Sequence, residues 1–372
     1  MKLFRKLIDK GMNPLTIKFM LNMYTTQKIK VRWNGEYSEP FQVTNGVRQG
    51  GVISPLLFTL YMDELICRLK KAGIGCHMGR YYCGILGFAD DIVLLCPSLG
   101  GLRKMIKICE EYASEHSILF NGAKSKLLIF GKYEGNVCVK VNNETVPICT
   151  DAIHLGIVLN TKFNEKYDFL RISIGKFNVS FNYFNATYKT CYSFVKQKLF
   201  LQYCGSLYGA QLWPLWHKDI DVFYTQCRNA LRKVWSIPIH THCRYLPLIT
   251  DSLPAEVSAY TNFLNFYSKA INSSNSIVRY VTNMSKHVPS STMGRNLNHV
   301  LYKCNLNIND LHDLTEQQFK KLSLERWLNN VNDDDCQTCS VIKDMIHVRD
   351  GFYKKIIDND ECNFIIENLC TK

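Results

Sequence analysis

The stretch that most constrains this chain runs Tyr81-Tyr82-Cys83-Gly84-Ile85-Leu86-Gly87-Phe88-Ala89-Asp90-Asp91-Ile92-Val93-Leu94-Leu95-Cys96. Two apolar, β-prone arms flank a pair of carboxylates. Arms of this composition predict strands, and the centre predicts a tight hairpin turn that holds Asp90 and Asp91 at its tip. Adjacent carboxylates repel each other, so both stay ionised most easily with a cation between or beside them. Hard oxygen ligands suit Mg²⁺. Asp is also an ordinary turn residue, so the bare hairpin admits a structural reading as readily as a metal-binding one.

The rest of the composition narrows the choice. A length of 372 residues allows two or three domains, and 47% hydrophobic against 21% charged residues fits a globular chain. The net charge of +13 favours a polyanionic partner, most simply nucleic acid, over a neutral one. Sixteen cysteines are scattered without framework spacing. Several, such as Cys67, Cys96 and Cys109, stand in apolar runs and read as small buried hydrophobes in a reducing compartment. The longest apolar run, Val52 to Met62, is broken by Ser54, Pro55 and Thr59, so no membrane span is expected. The opening residues form an amphipathic helix rather than a signal peptide.

In chain order, Leu3, Phe4, Leu7 and Ile8 fall at helical spacing up to Gly11 and Pro14, and a second helix covers about Leu15 to Tyr24. Residues Lys28 to Val43 alternate as a strand does. Ile29, Val31 and Trp33 point one way, and Lys28, Lys30 and Arg32 point the other. Asn34-Gly35 predicts a hairpin turn. The basic face is either a phosphate-binding face or a solvated one. Asn45-Gly46-Val47-Arg48-Gln49-Gly50-Gly51 then forms a loop whose glycines permit close backbone approach to a ligand. Ser54-Pro55 opens a helix that continues through Leu60, Leu65 and Leu69.

Gly46-Val47-Arg48-Gln49-Gly50, then Ser54-Pro55-Leu56-Leu57-Phe58, then Phe88-Ala89-Asp90-Asp91 further on resemble motifs B and C of reverse transcriptases, closest to those of non-LTR (LINE-type) retrotransposons. Asn121-Gly122-Ala123-Lys124 is similar to motif D. Ala152-Ile153-His154-Leu155-Gly156-Ile157 is similar to the primer grip, motif E, although the family has an aromatic where His154 stands. The resemblance implies an α+β right-hand polymerase: a palm, here an incomplete antiparallel sheet with packed helices, followed by a helical thumb. The expected division is 1–165 partial palm and fingers, 166–285 thumb and connection, and 286–372 an extension of unknown role.

The thumb expectation rests on basic and aromatic residues that interleave from about Phe163: Lys189, Tyr192, Lys196, Lys198, Phe200, Arg228, Arg232, Lys233 and Trp235. Such helices suit a grip on a template–primer duplex, although the aromatic residues more readily pack the thumb's own core. Tyr208 to Trp213 resembles the segment just after the polymerase domain in these elements. Ser290-Ser291-Thr292-Met293-Gly294 reads as a linker and Asp333-Asp334-Asp335 as an exposed acidic loop. Cys336, Cys339, His347 and Cys362 lack the spacing of a zinc knuckle.

By the same resemblance, the activity implied is RNA-directed DNA synthesis on an RNA template and DNA primer, with dNTPs and two Mg²⁺ ions as in other phosphoryl transfers. Asp90 would be the main metal ligand and Asp91 its neighbour. Arg48, Gln49, Gly50, Ser54, Pro55, Phe88 and Ala89 would shape the pocket for the templating pair and incoming nucleotide. Lys124 would sit near the leaving phosphates and act as an acid, and Leu155-Gly156 would grip the primer. The setting implied is intracellular, nuclear or cytoplasmic, without a membrane. The family also takes a carboxylate from motif A, on a strand just before a helix of the kind seen at Leu3 to Lys10. No motif A strand precedes that helix here, and neither Asp9, Asp63 nor Glu64 replaces its carboxylate. The expectation is therefore an N-terminally truncated reverse transcriptase with little or no activity. The alternative is a non-catalytic nucleic-acid-binding remnant.

Overall fold

The computed structural model describes residues 2–308 apart from 44, 45, 49, 133, 134, 163–167, 206, 207, 244, 245 and 251, together with 318. The chain divides into two compact units, 1–162 and 163–372. The architecture is mixed α+β, with small sheets and helices. Among the described residues every sheet has two strands, and no helix is long and apolar enough to cross a membrane.

The first unit opens with helices α1 (Lys2–Asp9) and α2 (Pro14–Thr25). Asn13 starts α2, its side chain accepting a hydrogen bond from the Leu15 backbone N–H at 2.8 Å, with Pro14 pre-set for the first turn. Next come β1 (Lys28–Ile29), β2 (Arg32–Trp33), β3 (Glu36–Tyr37) and β4 (Phe41–Gln42). Strand β1 pairs with β4 and β2 with β3, both antiparallel. The Asn34-Gly35 turn has φ of +46° and +90°, the pair of left-handed residues that a two-residue hairpin of this twist demands.

Helix α3 (Ser54–Ala72) carries the first core stripe. It is followed by β5 (His77–Met78), β6 (Tyr81–Tyr82), β7 (Ile85–Phe88), β8 (Asp91–Leu94) and α4 (Leu99–His116). The predicted Tyr81–Cys96 hairpin is in fact two ladders. Strand β6 pairs with β5, and only β7 pairs with β8. The break falls at Gly84, where a Cβ would come within 2.5 Å of the Tyr82 hydroxyl and 2.6 Å of its ring. That ring is held by the Tyr82 hydroxyl donating to the Ile74 carbonyl at 2.9 Å. Helix α4 starts at Leu99, where the Ser98 hydroxyl accepts from the Gly101 N–H and caps it.

Short strands complete the unit: β9 (Leu127–Leu128), β10 (Lys140–Val141), β11 (Glu144–Thr145), β12 (Ile148–Cys149), β13 (Asp151–His154) and β14 (Ile157–Asn160). Strand β9 pairs in parallel with β12, and β13 pairs antiparallel with β14. The core beneath the β7–β8 hairpin is Met62, Leu65 and Leu69 of α3 with Met105, Cys109 and Tyr112 of α4. A second core joins α1, α2 and α3 through Leu7, Ile17, Met20 and Leu57. Of the cysteines read as buried hydrophobes, Cys109 is buried, Cys96 is intermediate and Cys67 is exposed. Every described cysteine is a free thiol.

The second unit is helical: α5 (Asp168–Thr187), α6 (Ser193–Tyr203), a 3₁₀ turn at Ala210–Leu212, α7 (Ile220–Val234), α8 (Leu246–Thr250), α9 (Ala255–Ile271), α10 (Ser276–His287) and α11 (Thr292–Cys304). Its core is strongly aromatic, with Phe177, Phe181, Phe184, Phe200, Trp213 and Phe223 in mutual edge and tilted contacts. Buried Asn296 pins the 213–215 segment. Its amide donates to the Trp213 carbonyl at 2.7 Å and its oxygen accepts from the Leu215 N–H at 2.8 Å. Residues 290–294 are not a linker: Ser291 caps α11, its hydroxyl accepting from the Gly294 N–H at 3.0 Å. The acidic run at 333–335 and Cys336, Cys339, His347 and Cys362 lie outside the described residues.

Candidate active site in the first unit

Register places the two carboxylates differently. Phe88 pairs with Asp91, so the turn residues are Ala89 and Asp90. Asp90 stands at the tip, while Asp91 begins β8. Alternation then sorts the side chains. Ile85, Ile92 and Leu94 pack against the α3–α4 core. Leu86, Phe88 and Asp91 are on the other face, and Phe88 is 63% exposed. Both aspartates are exposed, and neither carboxylate has a hydrogen-bond or ion-pair partner among the described residues. An unpaired, solvent-facing pair of hard oxygen donors on a packed hairpin has the chemistry to hold a divalent cation. No group of three or more His, Cys, Asp or Glu side chains among the described residues could enclose one.

Ala89 has φ +51°. An L-residue with a Cβ costs about 1–2 kcal/mol in that region, and strain of this kind gathers where a tip must be aimed. Ala89→Gly should therefore be neutral or stabilising by up to about 1 kcal/mol, the relief being offset by greater unfolded-state freedom. Ala89→Val should destabilise, because a β-branched residue fits that backbone worst. Urea denaturation of the two variants checks both signs.

The glycine-rich loop is folded onto the start of α3. The Ser54 hydroxyl is buried and donates to the Arg48 carbonyl at 2.6 Å, which also accepts from the Gly51 N–H at 3.1 Å. Val47 anchors the loop in the α1–α2–α3 core. Arg48 and Gly50 are exposed, and Pro55 sits in the first turn of α3. Gln49 lies outside the described residues. Ser54 thus shapes the loop with its hydroxyl already engaged.

Lys124 is exposed on a turn set by Asn121, whose side chain accepts from the Lys124 N–H at 2.9 Å. Gly122 allows that turn to lie against the β10–β11 hairpin. A Cβ there would come within 2.7 Å of both Glu144 Cβ and the Val141 carbonyl. Leu155 and Gly156 form the two-residue turn between β13 and β14, with φ of +50° and +77°.

One constellation had no signal in the sequence. Lys6 of α1 donates to the Tyr61 carbonyl and the Tyr112 hydroxyl, both at 3.1 Å, and pairs with Glu64 at 2.8 Å. Arg68 bridges Glu64 and Glu115, each at 2.6 Å. The network ties α1, α3 and α4 together behind the hairpin. Hydrogen bonds from Lys6 and then Arg68 hold the Glu64 carboxyl down to about 2. A depressed acid stabilises the fold above its unfolded value near 4.5, and this contribution is lost as pH falls toward 2. Glu64→Gln should lower the thermal midpoint at pH 6, and the gap from the parent should close between pH 4.5 and 2. Glu64 is partly exposed, so the loss should be no more than about 1 kcal/mol.

In the second unit, several residues expected on a nucleic-acid face are committed elsewhere. Lys196 is buried. Arg228 pairs with Glu256 at 2.9 Å, and Arg232 donates to the Thr241 carbonyl at 2.7 Å. Phe200 is in the core, and the Trp235 indole donates to Gln197. Lys189, Tyr192, Lys198 and Lys233 are exposed.

Residues 2–170 match the family model for reverse transcriptase (RNA-dependent DNA polymerase). The chain is also distantly and partially similar to Pol proteins of R1, R2 and TX1 retrotransposable elements. The Pol polyprotein of the type-2 retrotransposable element R2DM of Drosophila melanogaster is 31% identical over 108 residues, 29% of this chain and 10% of that protein. A Popillia japonica R2 Pol polyprotein is 30% identical over 122 residues, 31% of this chain and 17% of its own. The Xenopus laevis transposon TX1 149 kDa protein is 28% identical over 120 residues, 32% of this chain and 9% of its own. These matches thus span between about a tenth and a sixth of the relatives' length. The family generally uses Mg²⁺, a nucleic-acid template and primer, and dNTPs, and its domain implies a polymerase palm.

Proposed function

We propose that the first unit is the palm portion of an RNA-directed DNA polymerase and the second a thumb that grips an RNA template paired with a DNA primer. Asp90, at the tip, is the main Mg²⁺ ligand and Asp91 assists it. The bound metal supplies charge neutralisation at the reacting phosphates. Arg48, Gln49, Gly50, Ser54, Pro55, Phe88 and Ala89 shape the nucleotide pocket. Lys124 protonates the departing pyrophosphate, and Leu155-Gly156 supports the primer. The observation that carries this reading is the unpaired Asp90-Asp91 pair at the end of a packed hairpin, within residues that match the family.

A second reading, a non-catalytic nucleic-acid-binding protein, is favoured by one observation. The described residues bring no third carboxylate to the pair. Primer extension on an RNA template, run beside Asp90→Ala and beside filter binding of the same template–primer, separates the two. Asp90-dependent extension supports the polymerase. Binding without extension supports the binding protein, and failure to bind overturns both.

A further inference from the structure

We infer, resting on the nucleic-acid reading above, that the basic face of the β1–β4 arm is a docking surface for single-stranded nucleic acid. The arm is fixed at its base. The Val43 N–H donates to the Gln27 carbonyl at 3.2 Å, and the Gln42 side chain donates to the Thr25 carbonyl at the end of α2 at 2.7 Å. Midway, the Ser38 N–H donates to the Val31 carbonyl at 2.9 Å, and the Ser38 hydroxyl accepts from the Val31 N–H at 3.0 Å.

Strand alternation puts Lys28, Lys30 and Arg32 on one side. Register adds Gln42 opposite Lys28 and Tyr37 opposite Arg32. Glu36 is opposite Trp33, hence on the other side. The face carries three cations and, by alternation from Tyr37, one acid, Glu39. All three are exposed, and none has a carboxylate partner among the described residues. The Arg32 guanidinium lies over the Tyr37 ring at 5.7 Å, and that ring is 63% exposed.

A row of unpaired cations fits a phosphate backbone. An open ring beside it selects among nucleic acids. Stacking on an aromatic side chain needs a free base face, which an unpaired strand offers and a duplex interior does not. The opposite face, with Ile29, Val31, Trp33 and Phe41, has no cations and takes no part.

The test uses the full 372-residue chain, a fluorescein-labelled 20-nucleotide RNA and the RNA–DNA hybrid of the same sequence. Replacing Lys28, Lys30 and Arg32 together with Ala should lower the salt slope of single-strand binding by about 2. Tyr37→Thr should weaken single-strand binding roughly tenfold and leave the slope unchanged. In Tyr37→Thr, binding of the hybrid should change less than about twofold, since its bases cannot stack on Tyr37. All four side chains are exposed, so the variants should keep the parent's circular dichroism. Single-strand affinity equal to the parent's in both variants overturns the proposal, as does a loss in Tyr37→Thr that is equal on the hybrid. A shift in sedimentation without a change in RNA binding would make the face a contact between copies instead. A parent chain that binds neither probe would defeat the underlying nucleic-acid reading, an outcome distinct from failure of the arm alone.

Discussion

Given Mg²⁺, dNTPs and an RNA template with a DNA primer, the purified 372-residue chain should extend that primer at no more than about a hundredth of the rate of a site with a third carboxylate at the hairpin, since one stabilising group is worth roughly 10²–10³. The reason is charge. Two dications about 3.5–4 Å apart repel by roughly 4 kcal/mol even at the dielectric of water, and by several times that near protein. Asp90 and Asp91 neutralise half of their charge. Both are exposed, and the described residues add no third ligand. A weakly held pair is also poorly positioned, and positioning carries most of phosphoryl-transfer catalysis. Asp90→Ala should erase whatever extension remains. Extension at tens of turnovers per minute that vanishes in Asp90→Ala would mean that a further carboxylate of this chain reaches the hairpin.

Much of the site was legible because turns are local. Asn34-Gly35 falls at a two-residue turn with left-handed backbone, where the hairpin pattern put it. The β7–β8 hairpin was legible as an apolar–acid–apolar pattern. Its register was not: pairing Phe88 with Asp91 moves one aspartate out of the turn, and a shift of one residue decides which face a side chain takes.

What escaped depends on contacts distant in sequence. Nothing around Lys6 says that it meets Glu64 and Tyr112, since three helices must first pack. Lys196 reads as surface from its type, yet the packing of the second unit buries it. Gly294 reads as a loop residue by composition. Its small size instead lets the first turn of α11 approach the Val288 and Ser285 carbonyls, where a Cβ would come within 2.5 and 2.7 Å. Composition indicates a break, and tertiary contact decides whether the chain uses it as one.

Leu65→Ala should cost about 2–5 kcal/mol, the range for deleting a fully buried leucine where the surroundings collapse only in part. Leu65 has no exposed surface and lies in the small cluster on which Ile85, Ile92 and Leu94 of the hairpin rest. Its loss removes support from under the strands that carry Asp90 and Asp91. Folded domains hold only about 5–15 kcal/mol in reserve, so the urea midpoint should fall sharply. Amide exchange along residues 85–94 should rise with it. Leu86 is the control: it is on the same strand but on the outward face, 47% exposed. Leu86→Ala should stay within about 0.5 kcal/mol of the parent, as surface substitutions do. Equal losses at the two positions would mean that the outward face is covered in solution. A loss below about 1 kcal/mol at Leu65 would mean that the hairpin does not rest on α3, and the aim of both aspartates would have to be explained by another support.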